Sequence, residues 1–190
     1  EQKVTTITLD DEIIGEILAE EGDNAVVTIS VDDADVVAVT LTGQAVKSME
    51  DKEAVIEIKA GPVTYVIPAS QINLEAVLGD PGEQVDLKDI NVNIKISGVP
   101  ADIIKIMEDT AGRNNFTIVM EPVDFEITCT LGDKTVKVSR FSEYVKRMIE
   151  IPGGIDPSEI TTGIVFNSDG SFSHVPTSIT TIDGKYYAVV

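Results

Sequence analysis

Two short strings occur twice in this chain at nearly the same spacing. Lys47-Ser48-Met49-Glu50-Asp51 returns as Lys105-Ile106-Met107-Glu108-Asp109, an offset of 58 residues from Met49 to Met107. Pro62-Val63-Thr64-Tyr65-Val66-Ile67 returns as Pro122-Val123-Asp124-Phe125-Glu126-Ile127, an offset of 60. A period of about 60 residues predicts one structural unit used twice, and such units are more often scaffolds than catalysts. The similarity also reaches back. Ile7-Thr8-Leu9 resembles Val66-Ile67-Pro68 at an offset of 59. The last strand of the first unit can then serve as the first strand of the second, which interlocks the units.

Hydrophobic periodicity fills in the elements. Val4–Leu9 alternates as a strand. Asp10 or Asp11 caps a helix over about 11–21, with Ile13, Ile14, Ile17 and Leu18 on one face and Gly22 as its stop. Strands follow at 25–31 and 35–41. Thr42 caps a short helix through about Lys52. Strands at 54–59 and 63–67 join at Ala60-Gly61-Pro62. Ser70 opens a short helix through about Leu78, and Gly79-Asp80-Pro81-Gly82 reads as a turn.

In the second copy, 91–97 is a strand. Pro100 opens a helix through about Ala111, with Ile103, Ile104 and Met107 facing the core. Residues 116–120 and 123–130 are expected as strands. From 131 onward the pattern changes to a β meander, with strands at 134–138, 144–151, 162–166 and 186–190. Turns fall at Leu131-Gly132-Asp133-Lys134, Asn167-Ser168-Asp169-Gly170 and Asp183-Gly184. Pro152-Gly153-Gly154-Ile155-Asp156-Pro157 has the most loop character. The expected class is α+β: two tandem, interlocked strand-helix-strand repeats of about 60 residues, then an antiparallel meander. The division is 1–90 for the first repeat unit and 91–190 for the second with its β-hairpin region.

Composition limits the partners. Hydrophobic residues make up 43% of the 190, enough for a core. Net charge is −19, of which −15 falls on residues 1–90 and −4 on 91–190. Such acidity argues against nucleic acid and against anionic membranes. No run of membrane-spanning length and no signal peptide is present. The sequence starts Glu1-Gln2, so a processed product or an excised piece is expected, and secretion stays open.

The residues offer little chemistry. His174 is the one histidine, flanked by Ser171 and Ser173. Neighbours this close in sequence do not by themselves form a triad, and no G-x-S-x-G elbow occurs. Cys129 is the one cysteine, so no internal disulfide forms, and its strand-like setting predicts a buried thiol. One His and one Cys exclude an ordinary zinc site. No phosphate-binding glycine loop is present. The 33 acidic residues make chance carboxylate pairs unavoidable, so a glycosidase is a remote reading. Calcium is the stronger chemical candidate. Asp10, Asp11 and Glu12 cluster, as do Asp32, Asp33 and Asp35. Asn167-Ser168-Asp169-Gly170 looks like part of an EF-hand loop, but Ser178 stands where the distal Glu belongs. Solvated turns and caps explain all three clusters, leaving weak surface calcium as the remainder. The chain has no Trp, five Phe and four Tyr. Tyr65 and Phe125 share a repeat position, which points to packing. One of the adjacent Tyr186 and Tyr187 should face outward, a thin platform for a sugar. No residue is assigned a catalytic, cofactor-binding or metal-binding role.

The C-terminal third carries a resemblance. Phe141-Ser142-Glu143-Tyr144-Val145-Lys146-Arg147-Met148-Ile149-Glu150-Ile151-Pro152 is followed by Ile160-Thr161-Thr162-Gly163-Ile164-Val165. Asp169-Gly170-Ser171-Phe172-Ser173-His174-Val175-Pro176-Thr177 and Ile182-Asp183-Gly184-Lys185-Tyr186-Tyr187-Ala188 complete it. Together these strings resemble the module that precedes S-layer homology repeats in surface proteins of Gram-positive (Firmicutes-type) bacteria. The likeness extends upstream through Glu121-Pro122-Val123-Asp124-Phe125 and grows diffuse over 1–90. It implies export, residence at the cell surface and a non-catalytic role. In that family the homology repeats grip the wall polymer. They are absent here, so no binding residues carry over. The family pattern continues beyond the Tyr-Tyr strand, which implies truncation, processing or an edge completed by a neighbour.

Three readings follow. The first is a non-catalytic structural module of a cell-surface protein, a spacer or a self-assembling lattice or filament subunit. Its partners would be copies of itself or other surface-layer proteins, and the Val4–Leu9 strand is a candidate for edge-to-edge pairing. The second is a polysaccharide-binding module of a cell-wall protein. The third is a carbohydrate-active enzyme.

Overall fold

Consecutive strands of this chain do not stay in one sheet. A computed structural model describes residues 2–78, 85–167 and 169–190 and shows mixed α and β structure. The chain groups into two compact units, Glu1–Ser97 with Phe125–Val145 and Gly98–Asp124 with Lys146–Val190. The boundary expected after residue 90 falls inside the first of these.

In the first unit the order is β1 (Val4–Leu9), α1 (Asp11–Glu21), β2 (Val26–Val31), β3 (Val36–Thr42), α2 (Gly43–Glu50), β4 (Val55–Ala60), β5 (Val63–Pro68) and β6 (Asn91–Gly98). After residues of the second unit come β7 (Val123–Leu131) and β8 (Lys134–Lys137). One sheet runs β1-β3-β6-β7-β8, and a second set runs β5-β4-β2. β1 lies parallel to β3, with Val4 opposite Val36, and β2 lies parallel to β4, with Val26 opposite Val55. Parallel neighbours need a long crossover. Here each crossover contains a strand of the other pair, so the two sheets are threaded through one another in sequence.

Local chemistry sets the helix ends. Asp10 Oδ1 accepts the Ile13 amide at 2.8 Å and caps α1. Gly22, at φ 77°, ends the helix and returns its N–H to the Leu18 carbonyl. Thr42 caps α2 by accepting the Ala45 amide at 2.9 Å, while its hydroxyl donates to Asp11 at the start of α1. One threonine thus ties the two helix starts together. Ile14 and Leu18 of α1 are buried, but Ile13, expected on the same face, is exposed.

The core is aliphatic and strand-borne. Val37, Val39 and Leu41 of β3, Ile56 and Ile58 of β4, Ile67 of β5 and Val92 and Ile94 of β6 are essentially inaccessible. Tyr65 and Phe125, the equivalent positions of the repeated string, meet edge to face at 4.9 Å. The other repeated string lies on helices of different depth. Met49 in α2 is fully buried, whereas Met107 is half-buried.

Two features lock α2 and the 69–72 turn. Gly43 donates its N–H to the Ile90 carbonyl at 2.9 Å. A Cβ there would lie 2.8 Å from the Leu87 carbonyl oxygen and 3.0 Å from Ile90 Cβ. The helix expected over 70–78 is a single 3-10 turn, Ala69–Gln71. Asn73 Oδ1 takes the Glu75 amide at 2.9 Å, a local turn that competes with helix. The buried Gln71 Oε1 accepts from Ser142 N, Ser142 Oγ and Glu143 N at 2.8, 3.1 and 3.0 Å. The turn expected at 79–82 lies outside the described residues.

The second unit holds α3 (Ala101–Arg113), β9 (Lys146–Glu150), β10 (Gly163–Phe166), β11 (Phe172–Val175), β12 (Ser178–Ile182) and β13 (Lys185–Val189). Here β10 and β11 form a hairpin, and β12, β13 and β9 run side by side, antiparallel. The β12–β13 turn is Asp183-Gly184 with φ of 49° and 79°, the positive values a two-residue type I′ turn needs. Residues 116–120, expected as a strand, join no ladder among the described residues. Asn115 turns at φ 61°, the Phe116 amide returns to the Ala111 carbonyl, and the Phe116 ring packs edge-on against Phe172 at 5.2 Å. On α3, Ile103 and Ile106 are exposed, against the expected inward position of Ile103.

Two substitutions check this packing by urea denaturation. Gly43→Ala should lower stability by about 1–3 kcal/mol through overpacking against backbone. Gly15→Ala, in α1 with open space at its Cβ, should be neutral or raise it by up to ~1 kcal/mol. In the same assay Gln71→Leu should cost about 1–3 kcal/mol, because the backbone amides of Ser142 and Glu143 lose their acceptor.

Candidate functional site

Four of the six carboxylates in the two N-terminal acidic clusters have structural partners. Asp10 is the cap of α1, and Asp11 receives the Thr42 hydroxyl. Asp35 Oδ2 accepts the Lys3 amide at 2.7 Å, and Asp33 forms an ion pair with the Lys3 ammonium. These bonds pin the chain entering β1 to the loop entering β3. Among the described residues, no group of three or more His, Cys, Asp or Glu side chains converges as a metal site would require. In the 167–170 turn, Asp169 Oδ1 accepts the Ser171 hydroxyl at 2.6 Å and its amide at 2.9 Å. Those bonds hold the Asp169 carboxyl below its usual range, the side-chain bond first. Asp156 is lowered in the same way by the Ser158 amide and hydroxyl.

His174 sits on β11 opposite Ile164, with its ring edge-on to Phe172 at 5.7 Å. Ser171, its candidate partner, gives its hydroxyl to Asp169 instead. Cys129 on β7 is buried opposite Val136. Burial pushes its thiol up to about 11, which leaves it protonated and unreactive near neutrality.

A shallow groove of about 420 Å³ beside α1 and α2 is lined by Gly15, Leu18, Ala19, Gly22, Ser48, Asp51 and Lys52. Lys52 pairs with Asp23 at 2.9 Å, and Asp51 pairs with Lys47 at 3.0 Å. The groove therefore brings no unpaired ionisable pair to a ligand. Tyr144 of the first unit and Tyr186 of the second are exposed, and Tyr187 is half-buried, so Tyr186 is the outward member of its pair.

What the fold does present is strand edge, and the edges differ. β1 ends its sheet. The Val36 amide donates to the Lys3 carbonyl. Backbone groups alternate sides along a strand, so residues 3, 5, 7 and 9 face β3. The N–H and C=O groups of Val4, Thr6 and Thr8 therefore point away from the sheet. All three residues are exposed, Val4 at 60%. The stretch Val4–Leu9 carries no charge. β8, at the other end, is four residues long with Lys134 and Lys137 at its ends, a protected edge. β2 is blocked where it begins, because Glu21 Oε2 accepts the Val26 amide at 3.1 Å. β12 ends the β12-β13-β9 set with Ile179 and Ile182 exposed.

No protein-family model, no curated protein and no solved structure matches this chain. No helix among the described residues is long and apolar enough to cross a membrane.

Cys129 gives a pH-dependent signature. A thiol whose folded pKa lies above its unfolded value contributes stability that is whole below about pH 9 and lost as pH rises toward 11. Denaturation midpoints of Cys129→Ala should therefore fall less steeply than wild type between those pH values. A thiol reagent at pH 8 should label Cys129 in urea but not in the native protein.

Proposed function

We propose that this chain is a non-catalytic structural module of a bacterial cell-surface protein, working as a spacer or as a subunit of a self-assembling layer or filament. The observation that carries this reading is the β1 edge, uncharged, exposed and, among the described residues, uncapped at the end of a sheet. Such an edge is a template for strand addition, which soluble proteins normally guard. Asp10, Asp11, Asp33 and Asp169, weighed as calcium ligands, are engaged in caps, turns and a surface pair, which fits a scaffold.

The recurrent strings support a unit of about 60 residues used twice, with residues beyond 131 as an added β region. The edge-to-face contact of Tyr65 with Phe125, at equivalent positions of the two strings, supports a packing role for that position. Extracellular residence rests on the resemblance of residues 141–190 to the module preceding S-layer homology repeats. The charge of −19 adds solubility outside the cell.

Immuno-electron microscopy of the producing cells tests this. Label on an ordered layer or filament at the surface is expected. Label confined to the cell interior would contradict the reading.

A further inference from the structure

We infer that β1 pairs with β1 of a second copy, antiparallel and in one register, with Thr6 opposite Thr6 across a two-fold axis. The inference rests on the structural reading above and names its contact.

The register follows from the backbone. Antiparallel hydrogen-bonded partners must both point into the shared edge. On β1 those residues are Val4, Thr6 and Thr8. Setting Thr6 against Thr6 places Val4 against Thr8 and Thr8 against Val4, so every outward group in the strand finds a partner. Sliding by one residue sets inward groups against outward ones. Sliding by two in either direction leaves one outward residue of each strand outside the ladder, since the strand runs only from Val4 to Leu9, where Asp10 caps α1. Thr5 then stands opposite Ile7 and Lys3 opposite Leu9. Lys3 stays paired with Asp33 and Asp35 of its own chain, so the contact rests on backbone pairing, and salt should strengthen it by screening two chains of charge −19.

The other edges fit less well. β8 presents lysines and β2 is capped by Glu21. β12 is five residues long, shorter than β1, and begins two residues after Pro176. A β1–β1 contact is isologous and closes on itself. It yields a dimer whose two sheets become one continuous sheet, and a layer would need a second kind of contact.

Two variants test the proposal. Thr6→Pro removes an outward N–H and puts a ring in its place, while the bonds from β1 to β3 remain. Sedimentation equilibrium should show a wild-type dimer whose dissociation constant rises at least tenfold in Thr6→Pro, while the two melting temperatures agree at concentrations where both proteins are monomeric. Thr6→Cys and Val4→Cys provide a readout independent of whether the proline variant folds. Facing residues in this register have Cα atoms about 5.5 Å apart, within disulfide reach. Two Val4 residues lie four positions out of register, roughly 14 Å apart at ~3.4 Å per residue. Mild oxidation should therefore link Thr6→Cys chains into dimers and leave Val4→Cys chains single, with Cys129 buried in both. A wild type that stays monomeric at every concentration would overturn the proposal. So would a dimer that links through Val4→Cys, or one that fails to link through Thr6→Cys, as a β1–β12 contact would. A dimer in solution without label at the cell surface would sink the surface reading and leave this contact standing.

Discussion

Two interleaved parallel ladders hold the first unit together. β1 can meet β3 only after α1 and β2 have passed, and β2 can meet β4 only after β3 and α2 have passed. Each ladder closes a loop that contains part of the other, so the entropy of one closure is spent usefully only if the second forms too. The segment common to both closures is β2 with β3, while β3 and β4 are inner strands of their sheets. Val39, Leu41, Ile56 and Ile58 supply apolar surface on strands that have neighbours on both sides. Thr42 connects the helix starts at the point where the crossovers turn, through Asp11 and the Ala45 amide.

That arrangement explains where the acidic residues sit. A chain of charge −19 can fold only if its carboxylates stay in water or meet specific partners. Here Asp10 caps, Asp33 and Asp35 hold Lys3, and Glu57 bridges to Lys59 at 3.0 Å. Exposed pairs of this kind are worth at most about 1 kcal/mol each. Their effect is on geometry more than on stability. Lys3 is fixed beside the loop entering β3, and this aligns the start of β1 while its outer edge stays open.

Much of the fold was legible in the sequence wherever a local signal was sufficient. Asp10, Gly22, Thr42 and Pro100 mark helix ends in the structure as they do in the sequence, and Asp183-Gly184 turns its hairpin. Legibility failed where distant partners decide. Gln71 lies in a helix-like window, yet its side chain is held by Ser142 and Glu143, more than seventy positions on. Phe116 has a strand-like neighbourhood, yet its ring goes to Phe172. Ile13 and Ile103 obey helical periodicity but lie beyond the strip their neighbours cover. The candidate site was legible only in outline. Val4–Leu9 read as a strand able to pair, but which of its groups face outward depends on the bond from Val36 to Lys3, which no local pattern encodes.

β3 and β4 form the interior of the first unit and β1 its open margin. Residue-resolved hydrogen exchange on dilute, monomeric protein measures this directly. Amides of Val37, Val39, Leu41, Ile56 and Ile58 should exchange only through global unfolding, while those of Val4, Thr6 and Thr8 exchange orders of magnitude faster. Equal protection of Thr6 and Val39 in the monomer, or rapid exchange across β3, would contradict it.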